Sequence, residues 1–389
     1  MKVRSSLSQR LQKLPPYLFA EVDRRKKAAI QKGVDLISLG VGDPDQPTPP
    51  HIVEAARKAL GNPAYHKYPF GAGLKEFRGA VAQFMKRRFN VSVDPSDEIY
   101  ALIGSKEGIA HLPLAVVNPN EVVLVPDPGY PVYQGSTLLA DGEVYHMPLI
   151  EEYGFLPDLD AIPEPVLERA SLLFLGYPNN PTSALATRKF FEKVVRFAKK
   201  HQIVVAHDNA YSEMYYDEPP MSFLEVPGAK DVGVEFHSLS KTYNMTGWRI
   251  GWICGNKDVV RQLATVKDNF DSGTFEVVQS AGIAALTGPQ ACVQEMRSLY
   301  KKRRDLFVPG LKDLGWNVKM PDATFYVWAH TPQGLSSMET VTHMLDQTGV
   351  LCTPGHGFGP SGEGYVRFAL TVDVSRLEEA LQRLSKLKW

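Results

Sequence analysis

The chain has 389 residues, 44% hydrophobic and 22% charged, enough for one large core and a smaller second one. Its 43 basic and 43 acidic residues balance, which argues against a general nucleic-acid or membrane-docking surface. Cys254, Cys292 and Cys352 show no CxxC spacing and no apolar run reaches signal-peptide or membrane-spanning length, so a reducing cytoplasm is the expected home, with neither disulfides nor a zinc site.

Taken in chain order, the first clear strand, 99 to 103, enters the glycine-flanked turn Gly104-Ser105-Lys106-Glu107-Gly108, and residues 109 to 117 continue as a helix-like run. A helix amino terminus with free backbone N–H groups seats phosphate, which makes Gly104, Ser105 and Lys106 a candidate cradle. A strand at 121 to 125 leads through Pro126-Asp127-Pro128-Gly129 to Tyr130, an aromatic ring able to stack on a flat ligand. After a strand near 144 to 149, the apolar segment 171 to 176 ends in the rigid turn Tyr177-Pro178-Asn179-Asn180-Pro181, where Asn180 offers an amide donor. A helix is expected over 188 to 201. The β-branched run Ile203-Val204-Val205-Ala206-His207 then reads as a buried parallel strand delivering Asp208 at its carboxyl end, with Tyr211 three residues on. Strands near 232 to 237 and 249 to 254 follow. Beyond about residue 285 the pattern changes to a long charged helix from Gln290 to Asp313, short strands near 316 to 329 and 364 to 370, and a terminal helix from Val374. Strands alternating with helices point to an α/β layer with a mostly parallel sheet, and such sheets place ligands at the carboxyl ends of their strands.

The segment between the strands near 232 to 237 and 249 to 254 carries the chemistry. His237-Ser238-Leu239-Ser240-Lys241 sets one lysine beside two hydroxyls, and Arg249 follows eight residues after the lysine. A lysine can hold an aldehyde as a Schiff base and later move protons, while a serine and an arginine hold a phosphate. Pyridoxal 5'-phosphate is the cofactor that combines both groups. Its chemistry also needs a carboxylate against the pyridine nitrogen, because the protonated ring is the electron sink. Asp208 fits that need, with Tyr211 and Asn180 as donors to the cofactor's phenolic oxygen. Each string alone has a plain structural reading: a surface lysine, a capping aspartate, a turn. Arg367, flanked by Tyr365, Val366, Phe368, Ala369 and Leu370, reads as a strand-borne, partly buried cation that calls for an anion.

The order of "GVGDPD", "YPFGAG", "GSKEG", "PDPGYPVY", "NNPT", "DNAY", "SLSKTYNMTGWRIG" and "YVRFALT" resembles that of the class I/II aminotransferases, pyridoxal phosphate enzymes of fold type I, over nearly the whole length. The resemblance implies Lys241 as Schiff-base lysine and general base, Asp208 on the pyridine nitrogen, Asn180 and Tyr211 on the phenolic oxygen and Tyr130 on the ring. It implies phosphate contacts from Ser105, Lys106, Ser238 and Arg249, and from Tyr68 reaching across a homodimer interface. It also places a substrate α-carboxylate between Arg367 and the backbone at Gly42. The implied architecture is a large domain, 46–288, with a mostly parallel sheet flanked by helices, and a smaller discontinuous α+β domain from 1–45 and 289–389. The partners implied are amino acids and 2-oxo acids, with no nucleic acid, membrane or metal.

The amino-terminal string from Leu14 to Arg24, with "LGVGDPDQPTPPHIVEA" and "GSKEGIAHLP", is similar to the LL-diaminopimelate aminotransferases of lysine biosynthesis, which pair that donor with 2-oxoglutarate. The similarity brings Tyr17 toward the substrate. It leaves Glu107 or Asp271 as candidate readers of the donor's distal ammonium and Lys106 of its distal carboxylate. Two positions depart from the wider pattern. Ser183 follows "NNPT" where most relatives have glycine, and "DNFDSGTFEVVQ" lacks the arginine of aspartate-specific enzymes. A general alanine, aspartate or aromatic aminotransferase, or a C–S lyase on the same scaffold, is the alternative reading.

Overall fold

The computed structural model describes the backbone of residues 7–15, 18–332 and 334–389 and, outside 18–21, their side chains. The strands, in chain order, are β1 (Ile37–Ser38), β2 (Ile99–Leu102), β3 (Val122–Asp127), β4 (Glu143–Pro148), β5 (Ala170–Gly176), β6 (Val204–Asp208), β7 (Gly233–Ser238), β8 (Gly251–Gly255), β9 (Tyr326–His330), β10 (Val350–Leu351), β11 (Thr353–Pro354) and β12 (Tyr365–Ala369).

Seven strands form one sheet in the order β2-β8-β7-β6-β5-β3-β4. β3, β4, β5, β6 and β7 pair in parallel, and β8 runs antiparallel to both of its neighbours, β7 and β2. The uninterrupted apolar run of β5 follows from burial on both faces. Leu172 and Phe174 enter one core with Ile109, Leu112 and Phe236, while Leu173 and Leu175 enter the other with Phe84, Phe191 and Val194. The helix Arg188–His201 shows why one of these layers holds. Phe190, Phe191, Val194, Val195, Phe197 and Ala198 are all buried, Thr187 accepts from Phe190 N at 3.2 Å at its start, and Gln202 ends it in the left-handed conformation.

A second core gathers Val22, Ile37, Leu39, Phe307, Trp316, Phe325 and Phe368 around the antiparallel sheet β11-β12-β9 and the parallel pair β1-β10. The helix Ala291–Asp313 joins the two cores. Its Val293 sits with the large sheet, and Met296, Tyr300, Phe307, Val308 and Leu311 sit with the small one.

The strands expected near 316 to 329 reduce to β9 and two isolated bridges, Val318 to Ala329 and Ala323 to Tyr215. Thr324, at φ +62°, breaks the extended backbone just before β9. The helices Pro50–Ala59, Lys75–Phe89, Lys257–Phe270, Glu276–Thr287 and Ser337–Thr348 were outside the sequence reading. No described helix is long and apolar enough to cross a membrane.

Candidate active site

The carboxyl ends of β2, β5, β6 and β7 open onto a cleft of ≈ 380 Å³ that is lined by Ser105, Gly176, Asp208 and Ser238 from those ends. Because β8 runs against its neighbours, its amino-terminal end lies at the same edge, and this brings Arg249 to the cleft beside the others. The lining also includes Gly42, Lys106, Tyr130, Asn180, Tyr211, Lys241 and Arg367, so residues spread over more than 300 positions of sequence share one space.

Lys241 stands on the one-turn helix Leu239–Thr242, which Ser238 caps by accepting from Ser240 N at 3.2 Å. The cap consumes an acceptor of Ser238 and leaves its O–H as a donor. Lys241 Nζ donates to Gly42 O at 2.7 Å. Burial lowers its amine from the ordinary 10.5 to about 8, helped by the charges of Arg367 and Arg249 and opposed by Asp43. An amine in that range is a usable nucleophile and base near neutral pH.

Asp208 is pushed upward by burial, against which Tyr133, His207, the Ala210 N–H and His237 all favour the anion. Tyr133 Oη donates to its Oδ2 at 2.9 Å, and Ala210 N to its Oδ1 at 3.3 Å. The hydroxyl of Tyr211 meets that of Tyr326 at 2.8 Å, and burial raises both phenols.

The helix Ser105–Val116 begins after Gly104, at φ +77°, and no side chain caps it. A Cβ at Gly104 would overlap the Arg249 guanidinium. Glycine therefore lets the arginine lie against the helix start, and donors from both converge. Lys106 Nζ lies 5.9 Å from the centre of the Tyr130 ring.

Arg367 is 0% exposed. It donates to Asn180 Oδ1 at 2.6 Å and to Gly40 O at 2.7 Å, between the rings of Tyr326 at 4.1 Å and Phe358 at 4.7 Å. The donating end of the Asn180 amide is not committed to the arginine. The "GVGDPD" segment is fixed from several sides: Thr353 Oγ1 donates to Gly40 O at 2.7 Å, Thr371 Oγ1 to Val41 O at 3.0 Å, and Arg303 grips Asp45 through two bonds of 2.7 and 2.6 Å.

Some expectations land elsewhere. Tyr68 is 74% exposed, stacked on Phe70 at 5.5 Å, and does not line the cleft of its own chain. Tyr17 lies outside the described residues. Glu107 and Asp271 do not line the cleft either. The fully buried Lys267 ammonium holds both, at 2.9 Å from Glu107 Oε2 and 3.0 Å from Asp271 Oδ2. Ser183 adopts φ +64° and spends its hydroxyl on Thr324 Oγ1 at 2.6 Å and Tyr326 O at 2.9 Å, tying the "NNPT" turn to the strand that carries Tyr326. Tyr133, Tyr326 and Asp43 escaped the sequence reading. Tyr133 sits in "PDPGYPVY", three residues after Tyr130, and a second ring one helical turn on was the available signal.

A lysine whose amine is lowered to about 8, a half-buried carboxylate, an uncapped helix start beside Arg249 and a buried arginine share one cleft, the arrangement that suits a pyridoxal phosphate enzyme. The convergence at Gly104, where any side chain would displace Arg249, and the half-buried acid at Asp208 both fit pyridoxal 5'-phosphate. The chain belongs to the class I and II aminotransferase family, whose model matches residues 34–384, and it is a transaminase of fold type I with pyridoxal 5'-phosphate as its cofactor. It is 55% identical to the LL-diaminopimelate aminotransferase of Syntrophobacter fumaroxidans over 383 residues, 98% of this chain and 99% of that one. It is likewise 55% identical to the enzyme of the same name from Aquifex aeolicus over 382 residues, 98% of this chain and 99% of that one. Among solved structures, apo-BacF from Bacillus subtilis superposes with a TM-score of 0.95 at 40% identity, covering 99% of this chain and 98% of that one.

Proposed function

We propose that this enzyme transfers the amino group of LL-diaminopimelate to 2-oxoglutarate, giving tetrahydrodipicolinate and glutamate, in lysine biosynthesis in the cytoplasm. The observation that carries the choice of donor is the 55% identity to LL-diaminopimelate aminotransferases over nearly the whole of both chains. The retention of every cleft residue the chemistry requires supports the reaction type.

Bound in the cleft, pyridoxal 5'-phosphate supplies an aldehyde that takes up an amino group covalently and a ring that accepts electrons. Ser105, Lys106, Ser238 and Arg249 hold its phosphate, with Gly104 allowing the close approach. Asp208, held by Tyr133, faces the ring nitrogen and favours its protonated state. Asn180 and Tyr211 donate to the phenolic oxygen, and Tyr130 covers the ring. Arg367 and the Gly42 backbone orient the donor's α-carboxylate so that Cα comes within reach of Lys241, whose Nζ takes the Cα proton and later returns one. The amino donor leaves as an oxo acid before the acceptor enters, a ping-pong order. Residues 46–288 form the cofactor-binding domain, and 1–45 with 289–389 the smaller one. Two copies pair so that Tyr68 of each reaches the other's phosphate site. The 74% and 77% exposure of Tyr68 and Phe70 supports that pairing, since large exposed aromatics mark contact surfaces.

The test is a donor panel with the cofactor-loaded protein and 2-oxoglutarate: LL-diaminopimelate, alanine, aspartate, tyrosine and cystathionine, with o-aminobenzaldehyde trapping tetrahydrodipicolinate. A kcat/KM for LL-diaminopimelate well above the others is expected. Preference for alanine or tyrosine would leave the transaminase standing and remove this donor. Pyruvate release from cystathionine without an oxo acid would replace transamination by C–S lysis.

A further inference from the structure

The seat assigned to the α-carboxylate is built from two stretches of backbone, residues 39–45 and the end of β12, and one arginine outside the cleft holds both. Ala369 N donates to Leu39 O at 2.7 Å, Arg367 Nη2 to Gly40 O at 2.7 Å and Thr371 Oγ1 to Val41 O at 3.0 Å. The first stretch therefore lies along the strand that carries Arg367 as far as Val41. There the chain turns: Asp43 N donates back to Val41 O at 3.0 Å, and Gly42 comes so close to Tyr326 that a Cβ would overlap its hydroxyl. The carbonyl of the same Gly42 accepts from Lys241 Nζ at 2.7 Å.

Beyond the turn the segment is held by Arg303, which is 0% exposed and comes from the helix Ala291–Asp313. Its Nη1 donates to Asp45 Oδ1 at 2.7 Å and to Leu370 O at 3.0 Å, and its Nη2 to Asp45 Oδ2 at 2.6 Å. Asp45 stands three residues after Gly42, and Leu370 three after Arg367, so one planar group spans both halves of the seat. Arg303 Nε has no hydrogen-bond partner among the described residues, and Asp373 lies farther off at 3.8 Å. Asp45 is thus the carboxylate that compensates the buried charge. Burial works against the Asp45 anion, but Arg303 outweighs it and holds the carboxyl below its usual range. A buried ion pair adds little net stability over apolar side chains of the same size, and what two parallel bonds fix is spacing. Arg303, Asp45 and Leu370 do not line the cleft, so they reach a ligand only through Gly42 and Arg367.

We propose that Arg303 is a positioning residue for the α-carboxylate of the amino donor and acceptor: its clamp on Asp45 and the Leu370 carbonyl sets the spacing between the Gly42 backbone and the Arg367 guanidinium, so that one carboxylate meets both. The inference rests on the assignment of the α-carboxylate to Arg367 and Gly42.

The experiment follows the absorbance of the bound cofactor in single-turnover half-reactions with LL-diaminopimelate and with 1,5-diaminopentane, the same diamine without its carboxylates. Alanine against ethylamine repeats the comparison, so that it stands whichever donor the enzyme prefers. The proteins are wild type, Arg303→Met, Asp45→Asn, Arg304→Gln and Arg367→Lys. In Arg303→Met the ratio of maximal rate to dissociation constant falls about tenfold or more for the donors that carry a carboxylate and stays within about twofold for the plain amines. Affinity of its apoenzyme for pyridoxal 5'-phosphate, read by quenching of tryptophan fluorescence, is unchanged. Arg304, 4% exposed and next in the chain, donates to Asp305 Oδ1 at 2.8 Å and Pro321 O at 3.0 Å, away from the seat. Arg304→Gln therefore lowers the melting temperature without separating the two kinds of donor. Equal losses on both kinds in folded Arg303→Met, or the same separation in Arg304→Gln, overturns the proposal. If Arg303→Met does not fold, Asp45→Asn, which keeps one acceptor for the guanidinium, carries the same test. Arg367→Lys marks the seat itself. An undiminished preference for carboxylate donors in that variant puts the seat elsewhere and takes the proposal with it, whereas a preference lost there but kept in Arg303→Met rejects the clamp alone.

Discussion

Stripped of cofactor, the enzyme should become more stable when Lys241 is replaced by methionine. The amine falls from 10.5 to about 8 chiefly because it is buried, so the folded protein releases a proton that the unfolded chain keeps. At about 1.4 kcal/mol per pH unit, that gap destabilises the apoenzyme by about 3 kcal/mol. The sign follows from the direction of the shift. Below pH 8 the penalty is full, between 8 and 10.5 it fades because the folded lysine has given up its proton while the unfolded one still holds it, and above 10.5 it is gone. Methionine fills similar space without charge. Against the gain stands the loss of the 2.7 Å bond to Gly42 O, about 1 kcal/mol, leaving about 2 kcal/mol. Urea unfolding of the two apoenzymes at pH 7 and at pH 10 measures this directly. A Lys241→Met apoenzyme no more stable than wild type at pH 7, or one whose advantage is undiminished at pH 10, would refute the reasoning. The same lowered amine has a functional side. At pH 7.5 about a quarter of it is neutral, against about one part in a thousand for an ordinary lysine, so cofactor capture by the apoenzyme should accelerate up to a limb near pH 8 rather than above 10. Turnover by the methionine variant should be lost entirely.

Arg367→Lys keeps the charge but loses the fork that spans Asn180 and Gly40. Two charge-assisted bonds of about 1.5–3 kcal/mol each are at stake, so kcat/KM for α-amino acids should fall about 10²–10⁴-fold, with a smaller loss for an amine lacking the carboxylate. Equal losses on both donors would remove the carboxylate role. Gly104→Ala introduces a Cβ that overlaps Arg249, at a φ of +77° that alanine resists. Affinity for pyridoxal 5'-phosphate should drop about tenfold or more while affinity for pyridoxal, which has no phosphate, stays level. Ser183→Gly gives up two hydrogen bonds but relieves a left-handed backbone, and these effects offset. The melting temperature should move by only a few degrees and kcat should be unchanged, which a kinetic comparison of the two proteins checks.

The sequence by itself determined the strands of the large sheet and those cleft residues that stand at their ends. Period and burial are local signals: a run such as Leu172 to Leu175 is apolar throughout because both of its faces are covered, and that is visible without knowing what covers them. Strand ends delivering Asp208, Ser238 and Asn180 were legible for the same reason. The sequence could not show that β8 reverses direction, since pairing partners are chosen across the fold, and this reversal is what carries Arg249 to the edge of the cleft. Charge bookkeeping was equally out of reach. Glu107 and Asp271 look like free acids in the sequence until Lys267, 160 residues from one and four from the other, is seen to pair with both. Tyr133 and Tyr326 became site residues only where tertiary packing brought their hydroxyls to Asp208 and Tyr211. Local pattern fixes which side chains a strand end presents. Long-range packing alone decides which partners they meet, because burial and Coulomb energy depend on distance in space rather than along the chain.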